Sequence, residues 1–193
     1  MAAPSPTQAP IDRIDHALTR LDSRWDGWAL PAWIFLAFLG ARAVNAYMWY
    51  WGASTKHPWL EPPFGWLGGW LRTEMQHNPI PGYPWLIEHI LLPNLALVGW
   101  TGFLLEAYLA LVFLVGFATR FHGWLAALWG LNIAIGNIGA PREPVWAILP
   151  LIVVPLLAGE SRSGRWLGID RVLRPRWQAS KNRVLRFVAA HGM

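Results

Sequence analysis

Most helices of a water-soluble protein alternate apolar and polar positions every three to four residues, but four stretches of this chain are apolar almost throughout. They lie at about 30–51, 95–118, 121–139 and 144–158. At 1.5 Å per residue the first is about 33 Å long, enough for a hydrocarbon layer of about 30 Å. The second is comparable and the third shorter. The fourth is shortest and carries Pro150 and Pro155, so it must kink, or pack where neighbours satisfy the carbonyls that proline leaves unbonded. Outside these spans the period returns. In "IDRIDHALTRLDSRW" the residues Ile11, Ile14, Leu18, Leu21 and Trp25 share one helical face opposite Asp12, Arg13, Asp15, Arg20 and Asp22. That face predicts an amphipathic helix over 11–28, lying on a membrane or packed on a partner subunit. "ASKNRVLRFVAA" is a short basic counterpart inside a basic tail, 160–193. Residues 1–10, "MAAPSPTQAP", predict disorder and do not read as a cleavable signal.

The connection 52–94 is longer than joining two helices requires. Its prolines and glycines, in "PFGWLGGW" and "NPIPGYPW", rule out one long helix, and the expectation is a folded cap with short helices, one at about 84–92 ahead of Pro93. The pattern therefore predicts an all-α fold: an integral membrane four-helix bundle occupying 29–159. Interfacial N- and C-terminal helices flank it, and the long non-cytoplasmic loop joins the first two spans.

Composition sharpens this. Charged residues are 14% of the chain against about 25% in ordinary soluble domains. The 15 tryptophans suit the headgroup level of a bilayer. With no cysteine, disulfides, thiol catalysis and cysteine-ligated metal or iron–sulfur centres are excluded. Of the basic residues, twelve fall on the side shared by both termini. Three, Lys56, Arg72 and Arg142, fall on the other, and Arg42 lies within a span. That asymmetry places both termini in the cytoplasm and assigns the net charge of +5 to anionic lipid and topology rather than to nucleic acid.

Two charges interrupt the spans. Arg42 is nine residues from the outer end of the first and Glu106 eleven from the outer end of the second, depths of about 13 and 16 Å. A charge at mid-bilayer costs on the order of 3 kcal/mol and so faces a partner or a cavity. The antiparallel arrangement predicts an Arg42–Glu106 ion pair, with Asn45 one turn from Arg42 and Tyr108 as candidate extensions. Gly99, Gly102 and Ala110 would let the helices approach closely. Three roles for the pair stay open: fixing helix register, holding a polar headgroup such as a quinone carbonyl, or moving a proton through Glu106. His57, His77 and His89, with Glu61, Glu74 and Glu88, share the outer connection but lack metal-ligand spacing. His16 and His122 are expected at the interface, and Asn132 and Asn137 as interhelical hydrogen bonders. No phosphate loop, dinucleotide fingerprint, nucleophile elbow or triad occurs, and the residues alone identify no reaction.

The run "LIEHILLPNLALVGWTGFLLEAYLALVFLVGFATRFHGWLAAL" (86–128) resembles the DoxX/DoxD family: Pro93 before the second span, Glu106 within it, then Gly116, Thr119 and Arg120 in a "GxxTR" turn. Arg42 matches the arginine of that family's first helix. "AGESRSGRWLGIDRVL" is similar to its closing motif through Gly159, Gly168 and Asp170. The resemblance covers roughly residues 30–173. It implies a four-helix protein of the bacterial inner membrane, in its DoxD-like form a subunit of thiosulfate:quinone oxidoreductase, with other membrane subunits as partners. Quinone is the implied cofactor; no haem, flavin, iron–sulfur or metal motif is present. On this reading Arg42, Glu106 and Asn45 form a headgroup site, and Lys56, His57, Arg72 and His77 attract an anionic substrate. The alternative is a non-catalytic accessory subunit within a larger membrane complex.

Overall fold

The computed structural model describes residues 32–56, 58–59, 63–141 and 148–193. The segments expected as a disordered start (1–10) and an amphipathic helix (11–28) lie outside these, as do His57, Glu61 and residues 142–147. The chain divides into two compact units, Met1–Leu36 and Ala37–Met193, and the described helices belong to the second apart from the start of the first helix. All regular structure among the described residues is helical, as an all-α fold requires.

Helix α1 spans Ala32–Thr55. It runs four residues past the expected end because "GAST" can stay helical: the hydroxyls of Ser54 and Thr55 donate to the carbonyls of Trp51 and Gly52 in the preceding turn. Helix α2 covers Gly65–His77 and stops at Asn78, held extended by the following Pro79. Helix α3, Tyr83–Leu86, begins with Pro84 in its first turn and widens into a π-helical turn over Ile87–Leu91, close to the expected 84–92. Helix α4, Leu95–Val115, ends on the left-handed Gly116 (φ 67°). It is the one helix among the described residues that is long and apolar enough to cross a membrane. Helix α5 is Thr119–Gly136, and α6, Pro150–Glu160, is a shorter apolar helix.

The region expected as a basic tail is folded. Short helices α7 (Gly164–Leu167), α8 (Asp170–Gln178) and α9 (Arg183–His191) bring Ala189 and Met193 back against Ala118, with Phe117, Leu173, Trp177 and Val188 packed around them.

One core joins four helices: Ala46 and Trp49 of α1, Leu109, Val112 and Phe113 of α4, Ala126 of α5 and Ala158 of α6. Within α5 the sides are reversed relative to a water-soluble helix. Thr119, His122, Gly123, Ala126 and Gly130 face inward, while Phe121, Trp124, Leu128 and Leu131 are exposed. Small residues let backbones meet. A Cβ on Gly123 would sit 2.7 Å from the carbonyl oxygen of Pro155 and 2.9 Å from the Cα of Gly159. Pro155 has no N–H to offer the carbonyl of Leu151, and that carbonyl instead presses against the backbone of Gly130.

Candidate functional site

Glu106 does not pair with Arg42. Its carboxylate, 2% exposed, accepts from the Lys56 ammonium at 2.5 Å and from the Trp129 indole N–H at 3.0 Å. Lys56 also donates to the carbonyl of Gly52 at 3.2 Å, and its side chain is 11% exposed. Two glycines make room. A Cβ on Gly52 would lie 2.7 Å from Glu106 Oε2, and one on Gly102 would lie 3.2 Å from Lys56 Cε. Beside this centre runs a collar of rings in edge-to-face contact, linking Trp59, Phe103, Trp100 and Phe64 at centroid separations of 5.7–6.1 Å. Gly99 is where the Phe64 ring rests on α4.

The register explains the correction. Gly52, near the end of α1, is level with Glu106, so α4 begins well beyond the end of α1 and its first turns pack on the outer connection through Phe64. Counting depth from each helix's own end therefore placed Arg42 too close to Glu106. Ten residues separate Arg42 from Gly52, about 15 Å along the axis. Lys56, expected to attract substrate in the outer loop, folds its long stem back onto Glu106 instead.

Arg42 serves a second centre. Its guanidinium donates to the carbonyls of Ser163 (2.9 Å) and Leu167. Around it the chain's turns are tied together. The amides of Ile169 and Asp170 donate to the carbonyls of Val115 and Gly116, capping α4. The Asp170 carboxylate accepts from the amides of Ala118 (2.6 Å) and Thr119 (3.0 Å) and from the Thr119 hydroxyl (3.1 Å). The amides of Arg120 and Phe121 donate to the carbonyl of Gly192. Four donors at the start of α5, which no turn of that helix can satisfy, are thus met by the C-terminal region. Burial pushes the Asp170 carboxyl up, and its bonds from Thr119 and Ala118 and the charge of Arg165 draw it back. Gly116 must be glycine on two counts, its positive φ and the Arg42 Nη1 that a Cβ would meet at 2.7 Å.

The motif positions behave alike. Arg42, Gly116, Thr119, Gly168 and Asp170 meet here, Gly159 packs on the backbone of Thr119, and Arg120 bonds Glu160 at 3.2 Å. Pro93 lies apart, in the turn before α4. Asn45 is wholly buried on the same face of α1 as Arg42, yet bonds neither Arg42 nor Glu106.

Other expectations change. Tyr108 does not extend the Glu106 cluster. His122, buried rather than interfacial, points Nδ1 at the carbonyls of Phe117 and Ala118, so Nδ1 carries the proton and Nε2 accepts from the Tyr108 hydroxyl at 2.7 Å. Asn132 is exposed, and the Asn137 amide donates within its own helix. The interhelical asparagine is Asn78, which donates to the carbonyls of Ile135 and Gly136. Arg72 is exposed, and His77, also exposed, bonds the Thr73 carbonyl.

Two things escaped the sequence reading. The first is Lys56 as the partner of Glu106. Its signal was present: Arg42, Asn45, Trp49, Gly52 and Lys56 recur at intervals of three and four, one stripe of α1 that extends past the apolar run. The second is Glu74, buried where α2 meets the end of α5, with Tyr83 donating to it at 3.2 Å and Gly136 against its carboxyl. No family model, curated protein or solved structure matches the chain.

Proposed function

We propose that the chain is a four-span integral membrane subunit of a quinone-linked redox system of the DoxX/DoxD kind, with thiosulfate and a membrane quinone as its substrates. It would work in the bacterial inner membrane, beside other membrane subunits, with both termini cytoplasmic. The observation that carries this reading is the buried Lys56–Glu106–Trp129 centre set beside an aromatic collar, next to a helix α5 that turns Phe121, Trp124 and Leu128 outward and Thr119, His122 and its glycines inward. A charged pair in such a setting marks a functional site. The meeting of Arg42, Gly116, Thr119, Gly168 and Asp170 supports the resemblance, since residues far apart in sequence serve one structural purpose.

The donors fit a quinone. Its carbonyl oxygens only accept hydrogen bonds; the Lys56 ammonium has three hydrogens and gives two of them to Glu106 and Gly52, and flat rings stack on a flat headgroup. Bound there, a quinone would supply a two-electron acceptor. Glu106 would hold the Lys56 side chain in place. The test is thiosulfate-dependent quinone reduction in membranes from wild type, a deletion strain, Glu106→Gln and Lys56→Met, with expression checked. Activity should vanish on deletion and fall at least tenfold in both variants.

A second reading, a non-catalytic accessory subunit, is favoured by the large rings that α1 presents outward at Tyr47, Tyr50 and Trp51. Activity unchanged by deletion, with copurification of larger membrane proteins, would establish it in place of the first.

A further inference from the structure

The core-facing stripe of α1 runs Arg42, Asn45, Trp49, Gly52, Lys56, and both of its ends are accounted for by the bonds described. Its middle is not. Asn45 is 0% exposed, and neither its Oδ1 nor its Nδ2 has a protein partner. Exchanging the two amide atoms changes nothing, because both are unpartnered. One turn further on, Trp49 is 1% exposed and its indole N–H is likewise unpartnered. Buried polar groups are almost always bonded to protein or to ordered water. Three unbonded atoms on successive turns of one helix face call for an occupant that can both donate and accept. Asn45 supplies a donor and an acceptor and Trp49 a donor, which meets the two to four partners a buried water needs. Ala46, Ala126 and Ala158 share this core with Trp49 and Phe113.

We infer that the bundle core holds ordered water bound by the Asn45 amide and the Trp49 indole, on the face of α1 between the Lys56–Glu106 and Arg42 centres. The spacing suits it. Side chains one turn apart on a helix have Cβ atoms about 5–6 Å apart, and one water with two bonds of about 2.8 Å at a near-tetrahedral angle spans about 4.5 Å between its partners, within reach of the ends of these two side chains. This water does not depend on the redox reading, and its test involves no activity.

That test is radiolytic hydroxyl-radical labelling of the purified full chain in ¹⁸O-water, with ¹⁸O incorporation at Trp49 located by fragment-ion mass spectrometry. Phe113, equally buried in the same core, is the dry comparator once each ring's intrinsic reactivity is allowed for. Bound water predicts labelling of Trp49 several-fold above Phe113, and a several-fold fall in Asn45→Leu, which removes the amide at similar size. Trp49 labelled no faster than Phe113 would overturn the inference. So would labelling that stays level or rises in Asn45→Leu, since that would report solvent leaking through a loosened core. Should Asn45→Leu not fold, the wild-type ratio alone decides.

Discussion

The two ends of α1 use charge differently. At the Arg42 end nearly every polar bond has a backbone group as partner: Arg42 donates to two carbonyls, Asp170 accepts from two amides, and the Gly192 carbonyl accepts from two more. At the Lys56 end the bonds that matter run between side chains, Lys56 and Trp129 to Glu106. Backbone groups cannot leave, so the first centre fixes where the chain turns and how the C-terminal region docks. Side chains can exchange partners, so the second can meet a ligand. On the proposed redox reading the ligand therefore belongs at the Glu106 end, although each end contributes one of the two charges that the sequence places in the apolar runs.

The comparison breaks most visibly at Asp170. In Asp170→Ala two amides and the Thr119 hydroxyl lose their acceptor, and the guanidiniums of Arg42 and Arg165 lose a nearby negative charge. Removing one partner from such a buried network costs about 3–5 kcal/mol. Thermal unfolding of the purified protein should show a melting temperature lower by ten degrees or more, or no folded protein at all. Asp170→Asn, which keeps one acceptor oxygen, should fall between.

A double-mutant cycle on Lys56→Met and Glu106→Gln should then give a coupling energy of about 1–3 kcal/mol. The same cycle on Arg42 and Glu106 should be additive within about 0.5 kcal/mol, because the two groups share no partner. A large Arg42–Glu106 coupling would restore the ion pair that the geometry rejects. A smaller effect sharpens the contrast within α1 itself. Gly52→Ala drives a methyl into the Glu106 carboxylate and should destabilise by about 1–3 kcal/mol. Gly40→Ala meets nothing within 4 Å and should be neutral or stabilising by up to about 1 kcal/mol.

Much of this was legible beforehand. The helices α1, α4 and α5 lie within a few residues of the apolar runs, since long uninterrupted apolar stretches bounded by Gly116 and Pro93 leave few alternatives. Burial of Arg42 and Glu106 followed from their cost elsewhere. Their partners did not, because pairing depends on the axial offset of α1 against α4, and that offset is set by the Phe64–Gly99 and Leu95–Gly68 contacts of the outer connection, which carry no periodic signal. The folded C-terminal region was hidden for a different reason. Its basic residues read as solvated charge, whereas Asp170 and the carbonyl of Gly192 are what the start of α5 needs, and a backbone carbonyl leaves no mark on a sequence.

The smallest predicted effect concerns Glu74, the buried carboxyl outside both centres. Burial pushes it above the ordinary glutamate range, opposed by the hydroxyl of Tyr83 and the indole of Trp70. Its place beside Gly136, at the negative end of the α5 dipole, acts in the same direction as burial. The folded protein therefore holds this proton more tightly than the unfolded chain does. Glu74 costs no stability below the unfolded glutamate range, and its penalty grows as pH rises from there through the raised folded value. Glu74→Gln cannot ionise and keeps an oxygen to accept from Tyr83. The melting temperature of the variant should match wild type at pH below the unfolded glutamate range and exceed it by a few degrees above the raised folded value, flattening the decline between. A variant less stable than wild type at high pH would mean that the carboxylate is held ionised there, by the same kind of side-chain pairing that Lys56 gives Glu106.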